Sequence, residues 1–568
     1  MNFDPGYVPF SRYGSYMVLS HLPKSEKRRE GLYLRSVHGD ALLQREVFRI
    51  ELLHKKMPVP FREIAIPTLL RLQAQEGYAE ICIPEPKLLR IKGTGIGIRL
   101  TKSTDVLGTA IPVGHGRWEI NSFSNQIKYM LTPIKGSLFI DAPWKGTKCD
   151  YIVASLFPDP NSGVLECGVE EFHSVWHKRN YPGSFEDSLK TIKNEYQEWL
   201  NKMPEVPQAY GQSRELAAYI TWSCVVAPEG HLTRPAMYMS KNWMMNLWSW
   251  DNCFNAMALV YRQPELAWDQ FAILMDSQDV SGAFPDALND KLMSWNFCKP
   301  PIHGWTLKWM MQRTSFIDKK RLKEVYEPLC RWTQWWFKYR DDDHDDIPQY
   351  NHGNDSGWDN CTVFSGGVPI ESPDLSAYLI IQMDVLADVA LRLGKRHEAE
   401  KWKAHANELL KKMLIHSWRG SGFVAPRSKD HRVFESDSLF LFLPIILGSR
   451  LPNHVLAKLI TGLKKEGRFL TQYGFASESP QSPLYQANGY WRGPIWAPST
   501  MIIIDGLVAA GEKELAREVA SKFCDMVSGS GMAENFDAIT GVGLCDPAHT
   551  WTCSVFLVLA KEYLEDKV

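Results

Sequence analysis

An excess of either charge is missing: 64 Lys and Arg stand against 65 Asp and Glu, a net charge of −1. That removes the electrostatic basis for binding nucleic acid or an anionic membrane surface. Long apolar runs are missing too. The longest, Leu439 to Leu447, falls far short of the ~20 residues a bilayer-spanning helix needs. The opening stretch MNFDPGYVPFSRYGSY has no charged segment leading into an apolar core, so no secretory signal is expected. The 11 cysteines are odd in number and contain no Cys-x-x-Cys pair, which predicts reduced thiols and a cytoplasmic protein. Gly93, Gly95 and Gly97 lack the third spaced glycine that would open a nucleotide-binding helix, and strand alternation follows them instead. A calcium loop begins at Asp341, Asp343 and Asp345. It fails where Asp346 replaces the required Gly and His352 the required Glu, so the stretch reads as a solvated acidic turn with no metal.

What is plentiful is tryptophan, 21 residues, many of them beside Gly, Asn and Asp in the second half. Core packing accounts for most indoles, but flat rings in polar loops also suit the apolar faces of sugars. At 568 residues, two domains are expected. Residues 1–185 carry short alternating or β-branched runs, among them Val47 to Leu53, Ala79 to Ile83, Ile127 to Leu131 and Tyr151 to Leu156. Turn residues separate them, which predicts an all-β sandwich. A linker helix over Phe185 to Asn201 leads, through residues 186–209, into a helical domain at 210–568.

Helical spacing predicts twelve helices there, near 211–226, 250–261, 264–278, 305–314, 319–339, 373–393, 395–419, 437–447, 452–466, 494–510, 512–529 and 551–565. Their connections alternate between tight and long; the long ones are 227–249, 279–304, 340–372, 420–436, 467–493 and 530–550. Antiparallel hairpins put every long link at one end. The expectation is a barrel of six helical hairpins, smooth at one end and functional at the other.

The third long link contains YNHGNDSGWDNCTVF, Tyr350 to Phe364, and the sixth contains MAENFDAITG. Each sets a carboxylate, Asp359 or Glu534, among polar turn residues, and we read the two as facing each other across a sugar. The other long links add Trp248, Trp250 and Asp251, then Asp286, Lys299, and the stretch YWRGPIW with Trp491, Arg492 and Trp496. A lone loop Asp or Glu is ordinarily solvated, and an Asp beside Trp at a helix start is ordinarily an N-cap. Convergence on one barrel end changes that reading. Glycosidic cleavage needs a proton for the leaving oxygen and an activated nucleophile, which one protonated and one ionised carboxyl supply.

At these residues the chain resembles glycoside hydrolase family 63, of the clan shared with trehalases. That family joins an (α/α)6 barrel, often behind a β-sandwich, to hydrolysis with inversion. The resemblance covers about 210–568. The family's Glu-Ser-Gly-x-Asp-Asn-Ser motif reads Asp355-Ser356-Gly357-Trp358-Asp359-Asn360-Cys361 here, with Asp for the usual Glu and Cys for the usual Ser. It implies Asp359 as general acid. Glu534-Asn535-Phe536 with Thr540-Gly541 matches the family's general-base stretch and implies Glu534 as base. Trp248, Trp250, Trp491 and Trp496 are then candidate pocket walls. Asp251, Asp286, Asp355, Gly357 and Arg492 are candidate sugar contacts, and Lys299 joins Arg492 as a candidate reader of a carboxylate. An α-glucosidic substrate is the first expectation, and a charged glycoside of the mannosylglycerate or glucosylglycerate type the second. An inverting phosphorylase and a non-catalytic carbohydrate-binding protein remain as further alternatives. A small carbohydrate is the only partner implied, no cofactor is required, and the oligomeric state stays open.

Overall fold

Strand alternation sets the N-terminal architecture: Ile152–Phe157, for example, buries every second side chain. The computed structural model describes residues 1–26, 28–39, 46–102, 107–181 and 183–565. Two antiparallel sheets form. One runs Met17–Leu22, Gly31–Ser36, Glu46–His54, Gly97–Lys102, Ile152–Phe157 and Ser137–Asp141 in spatial order, with Met57–Val59 beside its third strand. The other runs Thr109–Pro112, Trp118–Ser122, Ile127–Lys135, Val164–Phe172, Leu88–Thr94, Tyr78–Glu85, Leu69–Gln73 and Arg62–Ile66. Phe48, Ile98 and Leu156 from the first sheet meet Leu70, Ile81, Leu89 and Val169 from the second in one apolar core. The Gly93 to Gly97 stretch crosses from one sheet to the other and opens no helix.

Helix α1 (Phe185–Lys202) starts at Ser184, whose side chain accepts from Asp187 N–H in a reciprocal capping box. Its buried face, Phe185, Ile192, Tyr196 and Trp199, packs on strand Tyr78–Glu85 and on α2 (Gly211–Cys224), joining the two parts of the chain.

The helical part continues with α3 (Asp251–Leu259), α4 (Pro264–Ala272), α5 (His303–Met311), α6 (Lys319–Tyr339), α7 (Pro373–Leu393), α8 (Arg396–Ser417), a 3-10 segment (Leu439–Arg450), α9 (Asn453–Lys464), α10 (Ala497–Ala509), α11 (Lys513–Ser530) and α12 (Thr550–Leu559). Residue pattern sorts them. Every residue of α3 and of α12 is buried, whereas α8 buries only Ala399, Trp402, Ala406, Leu409, Met413 and Ser417, a single stripe. The buried helices touch in sequence: α3 packs on α5, α5 on α7, α7 on the 3-10 segment, that on α10, α10 on α12, and α12 back on α3. The striped helices α4, α6, α8, α9 and α11 pack outside, against members of that cycle.

The α-helix expected at 437–447 is a 3-10 segment instead. Pro444 lies inside it, and the chain leaves helical geometry at Gly448 (φ 51, ψ −126). Proline removes one amide donor and clashes with the carbonyl four residues back, so an α-helix cannot run through it undistorted. The helix expected over 264–278 ends at Ala272, followed by a short 3-10 turn.

The long links are stitched together by two small antiparallel sheets. Leu247–Trp248 pairs with Ala287–Leu288, joining the first and second links. Ile495–Trp496 pairs with Asn535–Phe536, joining the fifth and sixth. The 11 cysteines are unpaired. Among the described residues no helix is long and apolar enough to cross a membrane.

Candidate active site

The third link folds back on itself to present Asp359. Buried Asp355 organises the turn: one oxygen accepts from the N–H groups of Asn351 (2.9 Å) and His352 (3.1 Å), the other from Cys298 N–H of the second link (3.1 Å). Gly357 has φ +74, and a Cβ there would lie 2.5 Å from the Trp250 ring. At Gly353 a Cβ would lie 1.9 Å from the carbonyl oxygen of Asp359. Only glycine lets the loop pack this closely. Asn360 then clamps the fifth link, donating to Gly489 O (3.0 Å) and accepting from Trp491 N–H (2.9 Å).

Asp359 is partly accessible. With its NH2 turned toward Asp359, the Asn354 carboxamide lies 2.8 Å from both carboxylate oxygens. Burial holds the Asp359 carboxyl above its ordinary range; the charges of Lys299 and His352 oppose that. Lys299 is buried, 3.3 Å from Asp286 Oδ1 and 2.7 Å from Asn354 O. Although burial opposes its charge, the carboxylates of Asp286, Asp359 and Asp251 keep its pKa raised. Asp251 is buried, with one oxygen lacking a hydrogen-bond partner among the described residues. Burial pushes its pKa well up, with Asp359 and Asp286 adding repulsion. Asp286 is raised by burial as well.

Glu534 lies in the sixth link, 3% exposed. Tyr490 O–H donates to Oε1 at 3.1 Å and Asp546 N–H to Oε2 at 3.3 Å. Burial, then the like charges of Asp546 and Asp359, push its carboxyl up to about 7. Tyr490 feels Glu534, Asp359 and Asp251 together, which places it among the three. Trp551 Nε1 donates to Glu534 O at 3.1 Å and fixes the backbone. Asp546 is itself held by Asn242 Nδ2 (2.9 Å) and Ser240 Oγ of the first link. Buried Arg35, from the β part, donates to the carbonyls of Lys241 (3.1 Å) and Asn242.

Asp251, Asp286, Lys299, Asp359 and Glu534, drawn from four different links or their helix entries, thus share one electrostatic neighbourhood. The indoles behave differently from the expectation of four open walls. Trp250, Trp491 and Trp496 are 2%, 1% and 0% exposed. Trp491 stacks on Trp496 at 3.9 Å and 6°, and Trp358 covers Trp491 at 4.5 Å. Their faces are taken by one another, so they stiffen the site rather than line it; Trp248 stays partly accessible. Arg492 donates from Nε to Asn360 O at 2.8 Å and has no acidic partner among the described residues.

Sequence reasoning missed Asn354, Tyr490 and Asp546. Asn354 lies within YNHGNDSGWDNCTVF and Tyr490 opens YWRGPIW, each a few residues from a candidate side chain. Asp546 carries no local signal, since its role arises from packing against residues some three hundred positions away. Trp243 and Trp295, at 48% and 45% exposed, are indoles left open in the first and second links.

Comparison with known proteins bears on this arrangement. The chain is 23% identical to mannosylglycerate hydrolase MGH1 of Selaginella moellendorffii over 55% of this chain and 79% of that one. It is 21% identical to a glucosylglycerate hydrolase of Mycolicibacterium hassiacum over 55% of this chain and 91% of that one. The fold is that of a GH63 mannosylglycerate hydrolase from Thermus thermophilus in complex with glucose (TM-score 0.53, 18% identity, 61% of this chain and 99% of that one). A bacterial glucoamylase complexed with acarbose shares the fold across both parts (TM-score 0.64, 11% identity, 99% of this chain and 94% of that one). A family model for the mannosylglycerate hydrolase MGH1-like glycoside hydrolase domain matches residues 244–552, more than half of the chain, so the chain belongs to that family and is a glycoside hydrolase of family 63.

Proposed function

We propose that this glycoside hydrolase cleaves a small α-glycoside with inversion at the anomeric carbon. Asp359 protonates the glycosidic oxygen, and Glu534 deprotonates a water on the opposite face of the ring. The observation that carries the reading is the pairing itself: two carboxyls from distant links, each raised by burial, with Asp359 adding to the field at Glu534 and Tyr490 feeling both. Acid–base catalysis on a sugar needs one protonated and one ionised carboxyl, and repulsion between the two favours that state. The cycle of buried helices with its outer partners reads as an (α/α)6 barrel at 210–568, behind a β-sandwich at 1–185 and a linker at 186–209. Asp251 and Asp286 are read as hydroxyl contacts, with Trp248 as the accessible wall.

The substrate we favour carries a carboxylate on its aglycone, as in mannosylglycerate or glucosylglycerate. The names of the relatives support it, and so does Arg492, whose guanidinium has no acidic partner among the described residues. A neutral α-glucoside is the second reading. It is favoured by Lys299, which the acidic cluster already neutralises, leaving it unsuited to read a substrate carboxylate.

Incubating the purified protein with mannosylglycerate, glucosylglycerate and neutral α-linked glucosides, followed by anomer-resolved proton NMR, separates these readings. The expected first product is the β-anomer from a glycerate glycoside. An α-anomer as first product would overturn inversion, and turnover confined to neutral glucosides would overturn the charged aglycone.

A further inference from the structure

The acidic turn at the start of the third link is not the solvated loop its composition predicts. Asp341 and Asp345 close the turn on itself, accepting from Asp346 N–H (3.1 Å) and Ile347 N–H (2.8 Å). Asp343 accepts from Lys429 N–H (2.8 Å), which docks the turn on the fourth link. Beside it lie Glu371, at the end of the same link, His416 at the end of α8, and His431.

Glu371 is fully buried, yet neither of its oxygens has a hydrogen-bond partner among the described residues. His416 Nε2 stands 2.8 Å from Glu371 Oε2, but out of hydrogen-bonding alignment, and it too has no hydrogen-bond partner among the described residues. An ordinary ion pair between a protonated imidazole and a buried carboxylate would aim the N–H at the oxygen. Two lone pairs aimed at a third point leave the pattern seen here. His431 Nε2 lies 3.7 Å from the same Glu371 oxygen and 3.3 Å from Asp343 Oδ2. The two imidazoles are nearly perpendicular, at 89°. Asp345 Oδ2 is 3.9 Å from His416 Nδ1. One donor atom from each of Asp345, Glu371, His416 and His431 falls within 4.8 Å of all the others.

The geometry points to a structural transition-metal site, zinc by preference, held by Asp345, Glu371, His416 and His431. Zinc bonds of ~2.0–2.2 Å to nitrogen and oxygen put tetrahedral ligands roughly 3.3–3.6 Å apart, and the 2.8 and 3.7 Å from Glu371 Oε2 to the two imidazole Nε2 atoms lie on either side of that value. Two imidazoles in the set favour zinc over calcium or magnesium, which take oxygen ligands. A buried carboxylate without a donor is accounted for when it coordinates a cation. The site would tie both ends of the link that carries Asp359 to α8 and to the fourth link, so its role is to stiffen that loop. It stands apart from the acid–base assignment and does not depend on it.

The test uses the full-length protein after exhaustive chelation, titrated with Co²⁺ and followed by its visible d–d absorption, with Zn²⁺ and Ca²⁺ as competitors. One equivalent of Co²⁺ should bind in a tetrahedral spectrum and be displaced by Zn²⁺ but not by Ca²⁺. His431→Ala, a change at a largely exposed side chain, should weaken uptake at least ~30-fold, and Glu371→Gln should do so more strongly. His397→Ala, at the exposed start of α8, should leave it unchanged. Absence of stoichiometric uptake by the unmodified protein, equal uptake by His431→Ala, or displacement by Ca²⁺ as readily as by Zn²⁺ would each overturn the site.

Discussion

The loops that carry Asp359 and Glu534 are held in opposite ways. Around Asp359 the turn itself is closed by restraints short in sequence: Asp355 accepts from residues three and four positions before it, and Gly353 packs on Asp359. Around Glu534 the restraints are long. Its partner Asp546 is fixed by Asn242, whose carboxamide also donates to Tyr7 O at 3.1 Å, and the Asn242 carbonyl in turn accepts from Arg35. Thus one carboxylate is positioned by its own turn, and the other through a chain of contacts that ends in the β part. The N-terminal sheets buttress the first link directly and the sixth through Asn242, so they belong to the architecture of the site.

The sharpest way to break the comparison is to remove each carboxylate in turn and supply a substrate that needs no acid. Asp359→Asn should slow hydrolysis of the natural glycoside by about 10²–10⁴-fold, the range ascribed to a general acid. A glycosyl fluoride, whose leaving group needs no proton, should recover most of that loss. Glu534→Gln should lose activity on both substrates, since neither reaction can then activate water. Steady-state rates on the two substrates decide it. Recovery in Glu534→Gln rather than Asp359→Asn would exchange the roles.

Stability separates the two loops next. Asp355→Ala removes the acceptor of three N–H groups, that of Cys298 buried, with an expected cost of about 2–3 kcal/mol in denaturant unfolding. Arg35→Met replaces a buried guanidinium that serves the Lys241 carbonyl, 206 positions along the chain. It should cost a comparable amount, but reach the active site through Glu534, lowering kcat on glycosyl fluorides as well. If Arg35→Met leaves the fluoride reaction untouched, the buttress does not reach Glu534.

The same contrast explains what could be read from the chain alone. Helices α6 and α7 match their expected bounds because their ends are marked: the Asp318 side chain accepts from Arg321 N–H at 2.9 Å, and Gly394 ends α7 at φ 83. The apolar run at 439–447 carries no period and reads as an ordinary helix; its proline is the one local signal against that reading. Asp359 and Glu534 stand out in the sequence because polar turns mark them locally. Asp546 does not, because a buried aspartate in GLCDPAH looks like any loop residue until the first link is packed against it. The four-indole wall failed for a related reason: sequence shows that tryptophans are near one another, and not which faces they close.

Proton affinity makes the finest distinction between the loops. Burial and Asp546 push Glu534 up to about 7, so on the proposed assignment the base is progressively lost below neutral pH and kcat/KM should fall on the acid side with an apparent pKa near 7. Asp546→Asn removes the nearer like charge and should move that limb down by about one pH unit. Stability carries the same signature with its sign fixed. A carboxyl whose pKa is raised on folding favours the native state fully below its unfolded pKa, and that advantage is lost as pH rises through about 7. Glu534→Gln cannot ionise. It should therefore gain on the unmodified protein as pH increases, by about 2–3 kcal/mol more at pH 8 than at pH 5. Denaturant midpoints at the two pH values measure the difference directly, and a pH-independent gap between the proteins would mean that Glu534 is not held in the strained, proton-binding setting its neighbours create.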